Sequence, residues 1–305
     1  MKPIRVQELE MGLATRQRLS PYLWMVGSSL AFAGMATCAH AAGFYWSWTV
    51  VALARTGLCL LMALTLCWVA DVELVWLKPA TLWLRSLAGS VSLLCTFYAL
   101  PRLPVADVLT LTNIFPLWVA MLSIPMLGQW PAPGVWVAIA VAITGVALVQ
   151  KPHLAEGNLA TLVALGGSFF TALAMIGLHR LAHLDARAVV VHFSMVGFLV
   201  CLAVTAATQD RLSQWNAAEQ QGWLLLAGVG LFATLGQIGL TRAFATGAPA
   251  KVAVVGLVQV VFAAFLDHML LNTDLDLVKI AGMIMVLMST CFVMLQRPQT
   301  PDLAS

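Results

Sequence analysis

Charge is scarce in this chain of 305 residues. Only 10% of the residues are Asp, Glu, Lys or Arg, whereas 61% are hydrophobic. Soluble domains carry about 25% charged residues, so the composition excludes an ordinary soluble globular protein. The mean hydropathy of +0.91 and the long, nearly uncharged runs are typical of membrane-spanning helices.

Sequence motifs for catalysis, metal binding and nucleotide binding are also missing. The chain contains no HExxH, GxSxG or Walker motif and no pair of acids on one helix face. Its six cysteines show no CxxC or Cys/His spacing, so we expect free, packed thiols. The basic residues form no patch with stacking aromatic residues, so we expect no nucleic-acid partner. We therefore expect no enzyme, no cofactor, no metal and no direct use of ATP.

The apolar runs predict ten membrane spans, each with about the 17–25 residues that cross a hydrocarbon core of about 30 Å. A cleaved signal peptide is an alternative for the first span, because Ala39-His40-Ala41 resembles a cleavage site. Cleavage would leave nine spans. The ten predicted spans are residues 21–39, 46–70, 82–100, 104–127, 134–150, 157–178, 187–208, 222–241, 249–270 and 277–295.

An internal repeat organises these spans. Residues 99–149 and 243–293 share a hydropathy pattern at a constant offset of 144. Identical pairs include Ala99 and Ala243, Ala106 and Ala250, Ala120 and Ala264, and Leu127 and Leu271. Two halves, 1–150 and 151–305, then hold five spans each, and an odd number inverts the second half in the bilayer. The fold class is therefore an all-α integral membrane protein of ten transmembrane helices in two inverted five-helix repeats, an arrangement typical of secondary transporters.

The basic residues are distributed unequally between the two sides of the membrane. With a cytoplasmic N-terminus, the cytoplasmic side receives eleven lysines and arginines, Arg85 among them, and the opposite side receives four. Positive residues are retained on the cytoplasmic side. We therefore expect a multi-pass protein of the inner membrane with both termini in the cytoplasm.

The third to fifth spans and their second copies resemble the drug/metabolite transporter superfamily in its EamA form. The first copy reads FYALPRLPVADVLTLTNIFPLWVAMLSIPMLG and then GVWVAIAVAITGVALV, and the second reads LTRAFATGAPAKVAVVGLVQVVFAAF and then IAGMIMVLMSTCFVM. The resemblance implies a ten-helix permease that exports amino acids or related metabolites. The chain departs from the family where a Glu often follows the fourth and ninth spans, since it has Gly128-Gln129 and Asn272-Thr273 there. Pro116 of the first copy aligns with Val260 of the second copy.

Two ionisable side chains lie deep in the predicted spans. Arg55 follows Trp46 by nine residues, which places it about 13 Å along the helix. A charge at that depth costs at least ~2.5 kcal/mol, so the side chain should face the protein or water. It either binds a substrate carboxylate or phosphate or forms a structural pair. His192, about 8 Å along the helix from Arg187, either binds substrate, carries a proton, or packs as a neutral side chain.

Further candidates are polar or aromatic side chains within or at the ends of apolar runs. Each either lines a substrate cavity or hydrogen-bonds between helices. The cavity candidates besides Arg55 and His192 are Tyr98, Asn113, Trp118, Gln237 and Gln259. The gating candidates are Pro116, which kinks its helix, and Asp107, which also fits a favourable interaction with a helix dipole.

Together these features predict a secondary transporter that exports a small amino-acid-like, anionic or zwitterionic metabolite by alternating access. The alternatives are a multidrug-type exporter of lipophilic compounds and a non-transporting scaffold. The partners we expect are the small-molecule substrate and membrane lipids, and a homodimer is left open. No acid lies at mid-depth, which favours facilitated transport or exchange, with proton coupling through His192 as the alternative.

Overall fold

The computed structural model describes residues 3–99, 102–103, 105–152, 159–207, 220–271 and 274–296. Every regular element in this part of the chain is a helix. The helices are α1 (Pro3–Ala42), α2 (Trp48–Val69), α3 (Ala80–Ala99), α4 (Val105–Thr112), α5 (Phe115–Leu127), α6 (Pro133–Gln150), α7 (Leu159–Arg180), α8 (Ala186–Ala207), α9 (Gln220–Thr246), α10 (Pro249–Gly256), α11 (Val258–Leu271) and α12 (Leu277–Leu295).

Each predicted span corresponds to one helix or to two consecutive helices. Within the described ranges, nine segments are long and apolar enough to cross a membrane. The helix α3, with 20 residues, is about 30 Å long and has the length of a tenth span. The membrane-spanning part of α1 is Leu19–Ala42, and α9 extends five residues beyond its predicted end. The prediction of an all-α membrane protein is confirmed.

Proline and glycine mark several helix ends. Pro133 and Pro249 are the first residues of α6 and α10, where the missing N–H of proline costs no hydrogen bond. Gly128 follows the last residue of α5 with a φ of 66°, a left-handed conformation that ends many helices. Asp276 begins α12 because its side chain accepts a hydrogen bond from the backbone N–H of Lys279 at 2.9 Å.

The fourth and ninth spans are both broken, and at matching positions. The break at residues 113–114 separates α4 from α5, and the break at Leu257 separates α10 from α11. The repeat offset of 144 relates the two sites. Pro116 lies in the first turn of α5, but the ninth span breaks without a proline. The sequence did not predict this second break, since Val260 replaces the proline there.

A polar side chain of a neighbouring helix pairs with the backbone at the second break. The hydroxyl of Ser29 on α1 donates to the Gly256 carbonyl at 3.2 Å. At the first break, the side-chain amide of Asn113 donates at 2.7 Å to the Leu109 carbonyl, which also accepts from the Asn113 backbone N–H at 3.0 Å. Unpaired backbone groups are costly within a bilayer, so the Ser29 bond allows irregular backbone at Gly256.

Most of the extensive helix contacts join the first half of the chain to the second. The main pairs are α1 with α9, α3 with α7, α6 with α12, and α2 with α8, followed by α2 with α9, α1 with α11, α5 with α7, and α3 with α8. The repeat makes α1 equivalent to α7, α2 to α8, α3 to α9 and α6 to α12. When each helix is replaced by its equivalent, the pair α1–α9 becomes α7–α3, and the pairs α2–α8 and α6–α12 are unchanged. The buried core therefore lies between the halves.

The closest backbone approach between the halves is at α6 and α12. A β-carbon on Gly145 would lie 2.7 Å from the Gly282 carbonyl oxygen, and one on Gly282 would lie 2.6 Å from the Gly145 carbonyl oxygen. Only glycine fits at either position without separating the helices. Such small residues allow transmembrane helices to approach closely.

Candidate functional site

Arg55 lies in a narrow cleft between the two halves of the chain. It is partly buried on α2. The cleft is lined by Arg55, Thr56 and Cys59 of α2, Leu93 of α3, Phe193 and Ser194 of α8, and Ala233 and Gln237 of α9. The space inside it that a water molecule could occupy is about 10 Å³, which is about one water molecule. Ligand sites usually measure about 300–1,000 Å³, so this conformation is closed around Arg55.

A second cleft lies nearby between α2, α3 and α8, toward the beginning of α2. It is lined by Trp48, Thr49, Ala52, Leu94, Cys201, Val204 and Thr205. Ala52 and Cys201 of the second cleft pack with Leu93 of the first in one buried apolar cluster. The two clefts thus share a buried cluster where α2, α3 and α8 meet.

Arg85 is a second arginine at the interface of the halves. Its side chain is 2% exposed, and its Nη2 donates to Gln237 Oε1 at 3.2 Å. The guanidinium carbon lies 4.1 Å from the centre of the Phe193 ring, a favourable cation–π geometry. Its Nε is buried without a hydrogen-bond partner. Both Gln237 and Phe193 also line the cleft that holds Arg55.

Arg85 was not identified as a site residue from the sequence. It was counted among the basic residues of the cytoplasmic side, and the structure buries its side chain inside the helical bundle. The missed signal is that Arg85 lies three residues inside its own predicted span, which begins at Leu82. An arginine inside an apolar run should have been interpreted in the same way as Arg55.

The two buried arginines have no acidic partner in the part of the chain that the structure describes. The ion pairs found there join Lys151 to Asp276 and Arg187 to Asp185, at helix ends. Arg55 lines the same cleft as Gln237, the residue that accepts a hydrogen bond from Arg85. The site therefore carries an excess of positive charge at the interface between the halves.

His192 is fully buried beside this site and is held by two hydrogen bonds. Its Nε2 lies 3.1 Å from the Trp76 carbonyl oxygen, and its Nδ1 lies 2.8 Å from the Ser86 hydroxyl. Because a carbonyl only accepts, Nε2 carries the hydrogen, and Nδ1 of the neutral ring accepts from Ser86. The ring also makes an edge contact with Trp83 at 4.7 Å between centroids. This arrangement favours a neutral, structural histidine.

Of the remaining cavity candidates, only Gln237 lines the cleft. Trp118 donates through Nε1 to the Ser168 hydroxyl on α7 at 3.0 Å. Tyr98 lies at the end of α3, where the guanidinium carbon of Arg102 is 3.8 Å from its ring centre. Gln259 lies partly buried at the start of α11.

The gating candidates and Asn113 lie along the broken fourth span. Asp107 is buried in the first turn of α4, as an interaction with the helix dipole requires. Asn113 lies in the break itself, and Pro116 is buried just after it. Asn113 and Pro116 therefore lie at the break and Asp107 at the start of α4, and none of the three lines the cleft.

One ionic contact outside the membrane-spanning segments ties the end of α6 to the start of α12. The ammonium group of Lys151 contacts the carboxylate of Asp276. The hydrogen bond from Lys151 is the main cause that lowers the pKa of Asp276, and the hydrogen bond from the Lys279 backbone is the second. The carboxylate therefore remains ionised to a lower pH than an isolated aspartate.

Comparison with known proteins decides the family. Residues 19–150 and 158–295 match the EamA-like transporter family. The chain belongs to this family. The EamA-like protein is 28% identical over 211 residues to the pseudopaline exporter CntI of Pseudomonas aeruginosa, covering 67% of this chain and 71% of the exporter. It is 25% identical over 229 residues to a riboflavin transporter of Vibrio cholerae, covering 73% of this chain and 75% of that protein.

The fold also matches a protein of known crystal structure. The TM-score is 0.79 at 15% sequence identity, and the match covers 90% of this chain and 97% of the other. At this identity the match concerns the fold alone. Together with the family match, it establishes a multi-pass membrane protein with the architecture of a small-molecule transporter.

Proposed function

We propose that this EamA-like protein is a secondary transporter of a small organic solute with an anionic group. The observation that carries the proposal is Arg55 in a cleft between the two halves, with no carboxylate partner among the described residues. A buried guanidinium costs at least ~2.5 kcal/mol at mid-membrane. A carboxylate or phosphate of the solute would offset this cost through charge-assisted hydrogen bonds.

The same charge disfavours a lipophilic cation as the substrate. Arg55 and Arg85 both place positive charge near the cleft, and the described residues that line it include no acid. A cation would enter against this field, whereas an anion is attracted by it. The zwitterionic and anionic metabolites expected from the sequence therefore remain the substrates of choice.

We further propose that transport proceeds by alternating access between two inverted halves, 1–150 and 151–305. The exchange symmetry of the helix contacts and the matched breaks in the fourth and ninth spans support this arrangement. Discontinuous helices near a repeat interface are common in secondary transporters. The relatives named as an exporter and a transporter support a small-molecule cargo, and the exporter supports the outward direction.

Transport in proteoliposomes tests the role of Arg55. We expect Arg55→Gln to reduce counterflow of anionic solutes by at least tenfold, since one charged hydrogen-bonding group contributes about 1.5–3 kcal/mol. Arg55→Lys should retain part of the flux because it keeps the charge. The panel of radiolabelled probes consists of glutamate, succinate, butyrate and the lipophilic cation tetraphenylphosphonium.

Arg102→Gln is the matched control, because it removes the same charge from an exposed side chain. It should leave the anion flux near the wild-type level. Transport of tetraphenylphosphonium with no flux of any acid would refute the proposed function, as would normal anion flux in a well-folded Arg55→Gln protein.

A further inference from the structure

We propose that Arg85 is a second anion-binding residue, so that the preferred solute carries two separate anionic groups, as a dicarboxylate does. This inference rests on the proposed function and narrows its substrate class. It assigns one anionic group to Arg55 in the cleft and the other to Arg85, which lies behind Phe193 and Gln237 at the boundary of that cleft.

The hydrogen-bonding capacity of Arg85 is only partly used. A guanidinium group offers five N–H donors, yet Nη2 bonds to one neutral amide oxygen and Nε is buried without a partner. Buried donors are almost always satisfied in native proteins. An unsatisfied donor on a permanently charged group indicates an acceptor that is absent from the protein itself.

Gln237 occupies the place that an anionic oxygen would take. Its Oε1 accepts from Arg85, and the residue also lines the cleft around Arg55. A carboxylate oxygen accepts from a guanidinium more strongly than an amide oxygen does. A second anionic group that enters from the cleft would therefore displace the Gln237 amide from Arg85.

The local architecture leaves room for the guanidinium. A β-carbon on Gly89 would lie 2.5 Å from Arg85 Nη1 and 2.7 Å from the Phe193 ring. Glycine at this position thus permits the contact between Arg85 and the Phe193 ring. Phe193 and Gln237 both contact Arg85 and line the cleft, so a second anionic group would reach Arg85 by displacing these two side chains.

Charge balance leads to the same substrate class. Arg55 and Arg85 are both permanently protonated, and none of the described carboxylates pairs with either. A solute with one negative charge would leave one buried guanidinium uncompensated. A solute with two would neutralise both, which is why a dianion should bind more tightly than a monoanion of the same length.

Binding of a matched series of acids to the purified protein tests this inference. Titration calorimetry compares succinate, glutarate and adipate with butyrate and hexanoate. We expect the best dicarboxylate to bind at least about tenfold more tightly than any monocarboxylate. Arg85→Gln should abolish this preference, and Arg85→Lys should retain part of it.

The affinity for monocarboxylates separates a binding role of Arg85 from a structural one. A purely structural arginine predicts that Arg85→Gln weakens the binding of butyrate and succinate alike, because its loss disturbs Phe193 and Gln237 in the cleft wall. A binding arginine predicts that Arg85→Gln keeps the affinity for butyrate and loses the preference for succinate.

The outcomes distinguish this inference from the proposed function. Equal affinity of the wild-type protein for butyrate and succinate would overturn the inference and leave anion transport intact. Binding of tetraphenylphosphonium with no binding of any acid would overturn both. The wild-type comparison requires no variant, so the test stands even where an Arg85 variant fails to fold.

Discussion

At the scale of single residues, His192 shows how neighbours can fix the state of a titratable side chain. The Trp76 carbonyl requires a hydrogen on Nε2, and the Ser86 hydroxyl can supply one to Nδ1. The neutral ring therefore satisfies both partners. A proton carrier must instead gain and lose a proton during each cycle, and the described contacts of the ring, with Ser86, Trp76 and Trp83, include no acid that could exchange one.

Replacing His192 tests this structural role. His192→Ala leaves the Ser86 hydroxyl and the Trp76 carbonyl without their partner, which should lower the free energy of unfolding by roughly 2–4 kcal/mol. Thermal unfolding in detergent measures the loss. His183→Ala, at an exposed position, should leave the unfolding temperature unchanged.

The same variant also addresses energy coupling. We expect the ratio of transport rates with and without an imposed pH gradient to be equal in wild-type and His192→Ala vesicles that contain equal amounts of protein. An acceleration by the gradient that disappears in the variant would instead identify His192 as a proton carrier.

At the scale of helices, the hydropathy of the sequence predicts the spans but not their internal irregularities. Each apolar run reports the partition of a segment into lipid, which is why all ten predicted spans correspond to helices. The break at Leu257 depends on tertiary contacts, including the Ser29 hydroxyl that binds the Gly256 carbonyl. No single residue in the ninth span predicts this break in the way that Pro116 predicts the break in the fourth span.

The sequence likewise predicted some residues of the candidate site and not others. Arg55 was recognisable because a charge inside an apolar run must face the protein. Arg85 was missed because it was used only in the count of basic residues that predicts the cytoplasmic side. Gln237 was found as a polar residue in a span, but its contact with Arg85 depends on how α3 and α9 are rotated about their axes. Hydropathy carries no information about that rotation.

The contact between α6 and α12 can be tested with matched glycine substitutions. Gly145→Ala would place a β-carbon 2.7 Å from a carbonyl oxygen, so the helices must separate, at a cost of about 1–3 kcal/mol. A β-carbon on Gly166 of α7 would meet nothing within 4 Å, and alanine favours the helix. We expect a lower unfolding temperature for Gly145→Ala and no decrease for Gly166→Ala. Equal decreases would contradict the close approach.

At the scale of the whole molecule, the distribution of basic residues determines the orientation in the membrane. With Arg85 buried, the comparison becomes ten basic residues against four, so the expected orientation with both termini in the cytoplasm is unchanged. With five predicted spans in each half, we expect the second half to be inverted relative to the first.

Reporter fusions test this orientation. Alkaline phosphatase, which is active only outside the cytoplasm, should be active when fused after Lys151 and inactive when fused after His183. Green fluorescent protein, which fluoresces in the cytoplasm, should give the opposite result at the same two positions. Activity of the phosphatase at both sites would contradict a single span between Lys151 and His183. Activity at His183 alone would contradict five spans that follow a cytoplasmic N-terminus.

The backbone contact between Gly145 and Gly282 also limits how the halves can move. Since no side chain separates α6 from α12 at this level, a sliding motion along either axis would bring a β-carbon of a neighbouring residue against a carbonyl group. A change in crossing angle keeps each glycine opposite its partner and meets no such obstacle. The two helices are thus suited to act as a pivot, and under the proposed alternating access the Arg55 cleft would open to one side or the other by rotation about a fixed point.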